Sequence, residues 1–265
     1  MKQSDARKIE PIFYHDIGAG RPLMLVHGSF SDGLSSWSNQ MNLLSQHHRL
    51  LVVDRRGHGR SPTEPRPYTI AGDASDLIQV ADLAGTQRFH LAGHSYGGLV
   101  ALETARMSPQ RILSLHLIEP PFLSLLPDDP DVAPLIEQGG IMFRCAGQWG
   151  PERTAAAFFE LILGGEGLVD LQARPAWQTI VREARRIEHE EFPAGYQSQW
   201  LTGLRLDAPI QVYTGGRSNP GLRKLARRLV ELLPAARLVD VPEATHAVQN
   251  FVEPFHRELL SVALG

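Results

Sequence analysis

The eleven residues Arg88-Phe89-His90-Leu91-Ala92-Gly93-His94-Ser95-Tyr96-Gly97-Gly98 constrain this chain more than any other stretch. An apolar run with strand character enters Gly-x-Ser-x-Gly, and a helical pattern begins at once. A serine hydroxyl is a weak nucleophile until it is lifted clear of its neighbours and set beside a base. A strand ending in a very tight turn before a helix does the lifting, and small residues at Gly93 and Gly97 let the backbone turn without clashes. The helix behind Ser95 then offers N–H groups without intrahelical partners, close to where negative charge develops during attack. Ser95 is therefore the expected nucleophile.

Bulk composition narrows the partners. Hydrophobic residues make up 43% of the 265 and charged residues 21%, ordinary for a globular chain with a sizeable core. Lysine and arginine number 26 against 29 aspartate and glutamate, with no long run of either sign, so no nucleic-acid or anionic-membrane surface is expected. The cluster Arg182-Glu183-Ala184-Arg185-Arg186 alternates in sign along a helical stretch and reads as a solvated face. Cys145 is the single cysteine, so no internal disulfide can form. The polar N-terminus carries no apolar stretch of signal-peptide type and no segment is long enough to span a bilayer, so the cytoplasm is the expected location. Scattered histidines without His-x-x-x-His or His-Glu-x-x-His argue against a metal site, and no phosphate-cradling Gly-rich loop follows a strand, so neither metal nor cofactor is expected.

Short apolar segments alternate with amphipathic ones, the pattern of a mostly parallel sheet covered by helices on both faces. Strands are expected at Leu23–Val26, Leu50–Val53, Phe89–Ala92, Ile112–Ile118, Ile210–Tyr213 and Leu238–Val241, all rich in Val, Leu and Ile as doubly buried strands are. An opening hairpin over Ile9–Ile17, turning near Ala19-Gly20, is expected to add antiparallel strands at one edge. Helices are expected at Trp37–Gln46, Ile70–Ala84, Tyr96–Met107, Gly221–Leu233 and Pro254–Leu264. Residues 123–206 break the alternation: they are far too long for a connection, have helical periodicity at Arg153–Leu163 and Trp177–His189, and hold Trp149, Phe158, Phe159, Trp177 and Trp200. The chain thus divides into a core of residues 1–122 and 207–265 with a helical cap at 123–206, placed over the carboxyl ends of the strands where such sheets bind ligands. A separate small domain without a part in catalysis is the alternative.

His27-Gly28 after one buried strand, Asp54-Arg55-Arg56-Gly57-His58-Gly59-Arg60-Ser61 after the next, Gly93-His94-Ser95-Tyr96-Gly97 after the third, and Thr245-His246 after the last follow one another in a distinctive order. In these residues the chain resembles the α/β-hydrolase superfamily, and the resemblance spans everything except the cap. It implies an α/β-hydrolase fold, Ser95 as nucleophile and His246 as general base. Among the other histidines, His94 reads as packing, His27 and His58 as turn residues and His256 as a surface residue. Asp54 and Arg55 read as a structural pair. Two backbone N–H groups are expected to form the oxyanion hole: Tyr96, and either Ser29 or Phe30.

One departure from the common pattern stands out. Family members usually carry an Asp in the turn after the strand corresponding to Ile210–Tyr213, but here Thr214-Gly215-Gly216-Arg217-Ser218-Asn219-Pro220 holds no carboxylate. Glu119, ending an apolar strand before Pro120-Pro121, is the expected orienting acid, a seat resembling that in haloalkane dehalogenases and zearalenone-type lactonases. A salt bridge at the cap hinge is its structural alternative; Asp207 and Asp240 are weaker candidates. A serine nucleophile argues against dehalogenation and epoxide opening, which this fold performs with Asp, and implies acyl transfer. The leading expectation is hydrolysis of a small-molecule apolar ester or lactone. Hydrolysis of a carbon–carbon bond in a β-diketone and non-catalytic ligand reception, as in plant hormone receptors of this fold, are the alternatives. Composition does not choose between monomer and homodimer.

Overall fold

Short Val- and Leu-rich segments form the centre of the molecule, as seen in a computed structural model that describes residues 10–64 and 67–263. Seven strands, β1 (Tyr14–Ile17), β2 (Arg21–Val26), β3 (His48–Val53), β4 (Phe89–His94), β5 (Ile112–Ile118), β6 (Ile210–Gly215) and β7 (Ala236–Val241), form one sheet in the order β1-β3-β2-β4-β5-β6-β7. All neighbours are parallel except β1, which runs antiparallel to β3. The expected opening hairpin is corrected on this point. Tyr14 to Ile17 pairs with Val53 to Leu50 rather than with the strand that follows it, because β2 is already taken on both sides by β3 and β4. Only one antiparallel strand is therefore present among the described residues, and Ile9 lies outside them.

Alternation along each strand sends side chains to two helical layers. From β2, Leu23 and Leu25 join Leu50, Val52, Ala92, Ile118 and Tyr213 beneath α1 (Gly33–Leu44) and α8 (Val252–Ala263), which contribute Trp37, Leu44, Phe255 and Leu259. Met24 and Val26 face the other way, with Leu91, Leu115 and Leu117, against α2 (Ile70–Leu83), α3 (Tyr96–Met107) and α7 (Pro220–Leu232). His256 is buried beside Phe255, not on the surface as its sequence position suggests: α8 lies against the sheet, and both imidazole nitrogens are without a hydrogen-bond partner.

Between β5 and β6 the chain forms α4 (Ala133–Trp149), α5 (Pro151–Gln172) and α6 (Ala176–Glu183). α5 bends at Gly164, whose φ of +74° interrupts the helix. α6 is shorter than the periodicity of 177–189 predicts, since a 3-10 turn carries the chain from Ala184 to His189. The charge cluster at 182–186 is a solvated face only in part: Arg182 and Arg185 are exposed, but Glu183 is buried and accepts from the Gly59 N–H at 3.2 Å, with His58 Nδ1 3.4 Å away. Among the described residues no helix is long and apolar enough to cross a membrane.

Candidate active site

Ser29, Phe30, Ser95, Tyr96, Glu119 and His246 all follow the carboxyl ends of parallel strands. Ser95 follows β4 directly, with φ 52° and ψ −123°. Its N–H donates to the Ile118 carbonyl at 2.8 Å, and its own carbonyl accepts from Gly98 N–H at 2.8 Å, which ties the turn between β5 and α3. No side chain fits beside it: a Cβ on Gly93 would stand 2.1 Å from the Gly97 carbonyl oxygen, and one on Gly97 would stand 2.4 Å from that of His27. Gly28 makes the third close approach, with a Cβ there falling 3.0 Å from Ser95 Cβ.

Among the described residues, three non-glycine residues have positive φ: Phe30, Ser95 and Glu119 at 61°, 52° and 44°. Each such backbone costs on the order of 1–3 kcal/mol and persists only where surrounding contacts force it. All three lie among the six residues that the sequence marks for catalysis or oxyanion binding.

Glu119 is fully buried and saturated. Oε1 accepts from Thr214 Oγ1–H at 3.0 Å and Gly215 N–H at 2.8 Å; Oε2 accepts from Ser218 Oγ–H at 2.6 Å and His246 Nδ1–H at 2.7 Å. The end of β6 and the turn after it, which hold no carboxylate, thus supply three donors to one that follows the neighbouring strand β5. Asp240 is exposed and sits 3.3 Å from Arg227, and Asp207 is exposed as well. His94 lies behind His246, its Nε2 3.1 Å from the His246 carbonyl oxygen and the two rings 4.8 Å apart. Burial and the neighbouring His246 push the His94 imidazole down to about 3, so it stays neutral and donates to that carbonyl. Ser95 and His246 line the same pocket.

Asp54 and Arg55 are not paired with each other. Asp54 accepts from Gly33 N–H at 2.8 Å and Arg60 N–H at 2.9 Å, which fixes the turn. Arg55 turns the other way, into a buried group with Asp73 at 2.8 Å and with Glu190. It lies 4.5 Å from the Tyr96 ring centroid, and its own N–H donates to His27 Nε2 at 2.9 Å.

The pocket floor is Ser29, Ser95, Tyr96 and His246; its walls come chiefly from the segment between β5 and β6, including Leu135, Met142, Phe143, Phe158, Ile162 and Phe192. None of the lining residues is Asp, Glu, Lys or Arg. Phe30 stacks on Phe158 with centroids 4.5 Å apart, joining the loop after β2 to that wall. Sequence reasoning missed the roles of Thr214, Ser218 and Glu190. The first two had a visible signal, a turn rich in short donors facing the strand that ends in Glu119. The contact of Glu190 had none.

A family model for the alpha/beta hydrolase fold matches residues 21–251. RutD of Pseudomonas savastanoi pv. phaseolicola, provisionally named a carbamate hydrolase, is 37% identical over 254 residues, 91% of this chain and 93% of that protein. The match to the Azorhizobium caulinodans protein of the same name is 35% identical over 107 residues and spans only 40% of each chain. Among solved structures, a hydrolase from Pseudomonas aeruginosa PA01 is similar with a TM-score of 0.76 and 25% identity, covering 94% of this chain and 92% of that one. With the family model matched from β2 to the loop beyond His246, and with a relative similar over nearly the full length, the chain belongs to the α/β-hydrolase family.

Proposed function

We propose that the protein cleaves a carboxylic ester or lactone with an uncharged, apolar acyl portion, through an acyl-enzyme on Ser95. The observation carrying this reading is the meeting of Ser95 and His246 in one pocket without charged walls, with His246 Nδ1 bound to the buried Glu119. The Glu119 contact fixes the imidazole with Nε2 as its basic nitrogen. His246 Nε2 takes the Ser95 proton as Oγ bonds to the acyl carbon, and the carbonyl oxygen gains the charge. The N–H groups of Tyr96 and of Ser29 or Phe30 receive that charge. The imidazolium then gives its proton to the departing alkoxide, and water repeats the sequence to release the acid. Residues 123–206 act as a cap that keeps bulk water from this chemistry and sets the acyl preference.

A carbamate shares the acyl carbon and the leaving alkoxide, and the likeness to RutD favours testing one. The uncharged pocket favours an apolar ester over a small polar carbamate. The test is turnover of p-nitrophenyl acyl esters, a macrolactone and an aryl carbamate by the protein and by Ser95→Ala. The proposal expects ester turnover that is lost in the variant, and a fluorophosphonate label on Ser95. Undiminished turnover by Ser95→Ala would remove Ser95 from the chemistry.

A further inference from the structure

Glu190, from the segment between β5 and β6, reaches the catalytic end of the sheet without lining the pocket. It is buried, and its Oε2 accepts from Ser29 Oγ–H at 2.6 Å. Its Oε1 faces the Arg55 guanidinium and lies 3.1 Å from His58 Nε2. Burial raises such a carboxyl, but Arg55 and His58 outweigh it and hold Glu190 at about 2, so it stays charged.

Its backbone is held as firmly as its side chain. Tyr68 N–H donates to the His189 carbonyl at 2.6 Å, and Glu191 N–H donates to the Tyr68 carbonyl at 2.8 Å. The Glu191 carboxylate accepts from Ile70 N–H at 3.0 Å. Arg55 extends the group toward both oxyanion segments: it donates to the carbonyls of His27 at 3.1 Å and Gly28 at 3.3 Å, and covers the Tyr96 ring. The loop carrying Ser29 and the strained Phe30 is therefore gripped at two points, the Ser29 hydroxyl by Glu190 and the Phe30 ring by Phe158.

An oxyanion hole works because its donors are already in place when charge develops, so what holds the donor backbone matters as much as the donors. We propose that Glu190 is a positioning residue of the oxyanion hole, acting through the Ser29 hydroxyl to fix the main chain at Ser29 and Phe30. This rests on the acyl-transfer reading above. Ser29 serves through its backbone, and its side chain serves to be held.

The test compares a p-nitrophenyl ester with its thionoester, in which C=S replaces C=O, using Ser29→Ala, Glu190→Ala and Glu190→Gln. Sulfur accepts hydrogen bonds poorly and sits farther from the acyl carbon, so an intact hole favours the oxygen ester. Rates are normalised to sites titrated by a fluorophosphonate. The expected result is an oxo/thiono ratio lower by about tenfold in Ser29→Ala and Glu190→Ala, a fraction of the full value of a hole donor. Glu190→Gln, which keeps an acceptor for Ser29, falls between these and the parent. A ratio unchanged while both rates and the melting temperature fall together would overturn the proposal and leave Glu190 a purely structural residue. If the Glu190 variants do not fold, Ser29→Ala decides alone, since it leaves the Arg55–Glu190–His58 group in place. A parent protein that turns over neither ester and takes no fluorophosphonate label sinks the acyl-transfer reading, and this proposal with it.

Discussion

At the scale of single residues, strain and hydrogen-bond saturation coincide. Glu119 bends its backbone to a φ of 44° while its two oxygens receive four donors. Such a carboxylate cannot be replaced by an isosteric amide, because whichever oxygen becomes NH2 then meets two N–H or O–H groups. Glu119→Gln is thus expected to lower kcat by roughly 10³–10⁴-fold by losing the imidazole orientation. It is also expected to lower stability by roughly 1–3 kcal/mol through unpaired buried donors. The sequence alone suggests a rate effect with little stability loss; the three donors from 214–218 make the residue structural as well. Kinetics and a denaturant titration on the same preparation check both, and full retention of kcat would remove Glu119 from the imidazole's support.

At the scale of elements, α4 shows how tertiary contacts override local preference. Two adjacent glycines, Gly139 and Gly140, weaken a helix by about 1 kcal/mol each relative to alanine. The sequence reading places this stretch within a helical cap without giving it a helix of its own. Yet Leu135, Gly139, Met142 and Ala146 are buried at helical spacing, and the Phe192 ring lies in the flat that the glycines leave. A Cβ on Gly139 would stand 3.1 Å from that ring. Gly139→Val is therefore expected to drive Phe192 into the pocket and shorten it. An octanoyl ester should lose about tenfold in kcat/KM while an acetyl ester is nearly unaffected, the scale of one or two misplaced methylenes. A chain-length series measures this, and equal losses at all lengths would show that Phe192 does not bound the acyl site.

At the scale of the molecule, a polar ladder crosses the sheet beneath the apolar layer of α1 and α8. His90 Nδ1 lies 2.7 Å from Ser114 Oγ, Ser114 Oγ 2.8 Å from His116 Nε2, and His116 Nδ1 2.9 Å from Tyr213 Oη, which donates to Gln211 Oε1 at 2.6 Å. Burial holds His90 at about 4 and His116 at about 3, and His94 likewise at about 3, against an ordinary 6.5. Below 6.5 the unfolded chain binds protons that these native imidazoles refuse. Their stability contribution is therefore complete above 6.5 and is lost as pH falls toward 4, at roughly 1 kcal/mol per pH unit for each. Glu183 and Glu190, held at about 2, add their loss only below about 4.5. His58, raised between Glu183 and Glu190, acts in the opposite sense: it favours the fold below 6.5 and ceases to do so as pH rises through its folded value. Urea titrations from pH 7 to 4.5 should show stability falling, with a shallower slope in His116→Gln. A flat profile would mean that the buried imidazoles are protonated in the native state.

The amino-acid sequence by itself determined the features that rest on near neighbours. Strand, elbow and helix around Ser95 follow from hydrophobic periodicity and from two glycines whose missing Cβ atoms the turn requires. The alternation of strands and helices is legible for the same reason, while His246 and Glu119 are picked out by the resemblance of their places in the strand order to those of the family. Only the tertiary structure decided which strand accepts β1, why the turn after β6 can lack a carboxylate, and what the buried charges hold. Ser29 and Glu190 stand 161 residues apart, Arg55 and Glu190 135. No periodicity encodes such contacts. They arise when the sheet and the helices above it pack, and burial then admits a charge only where its partners already wait.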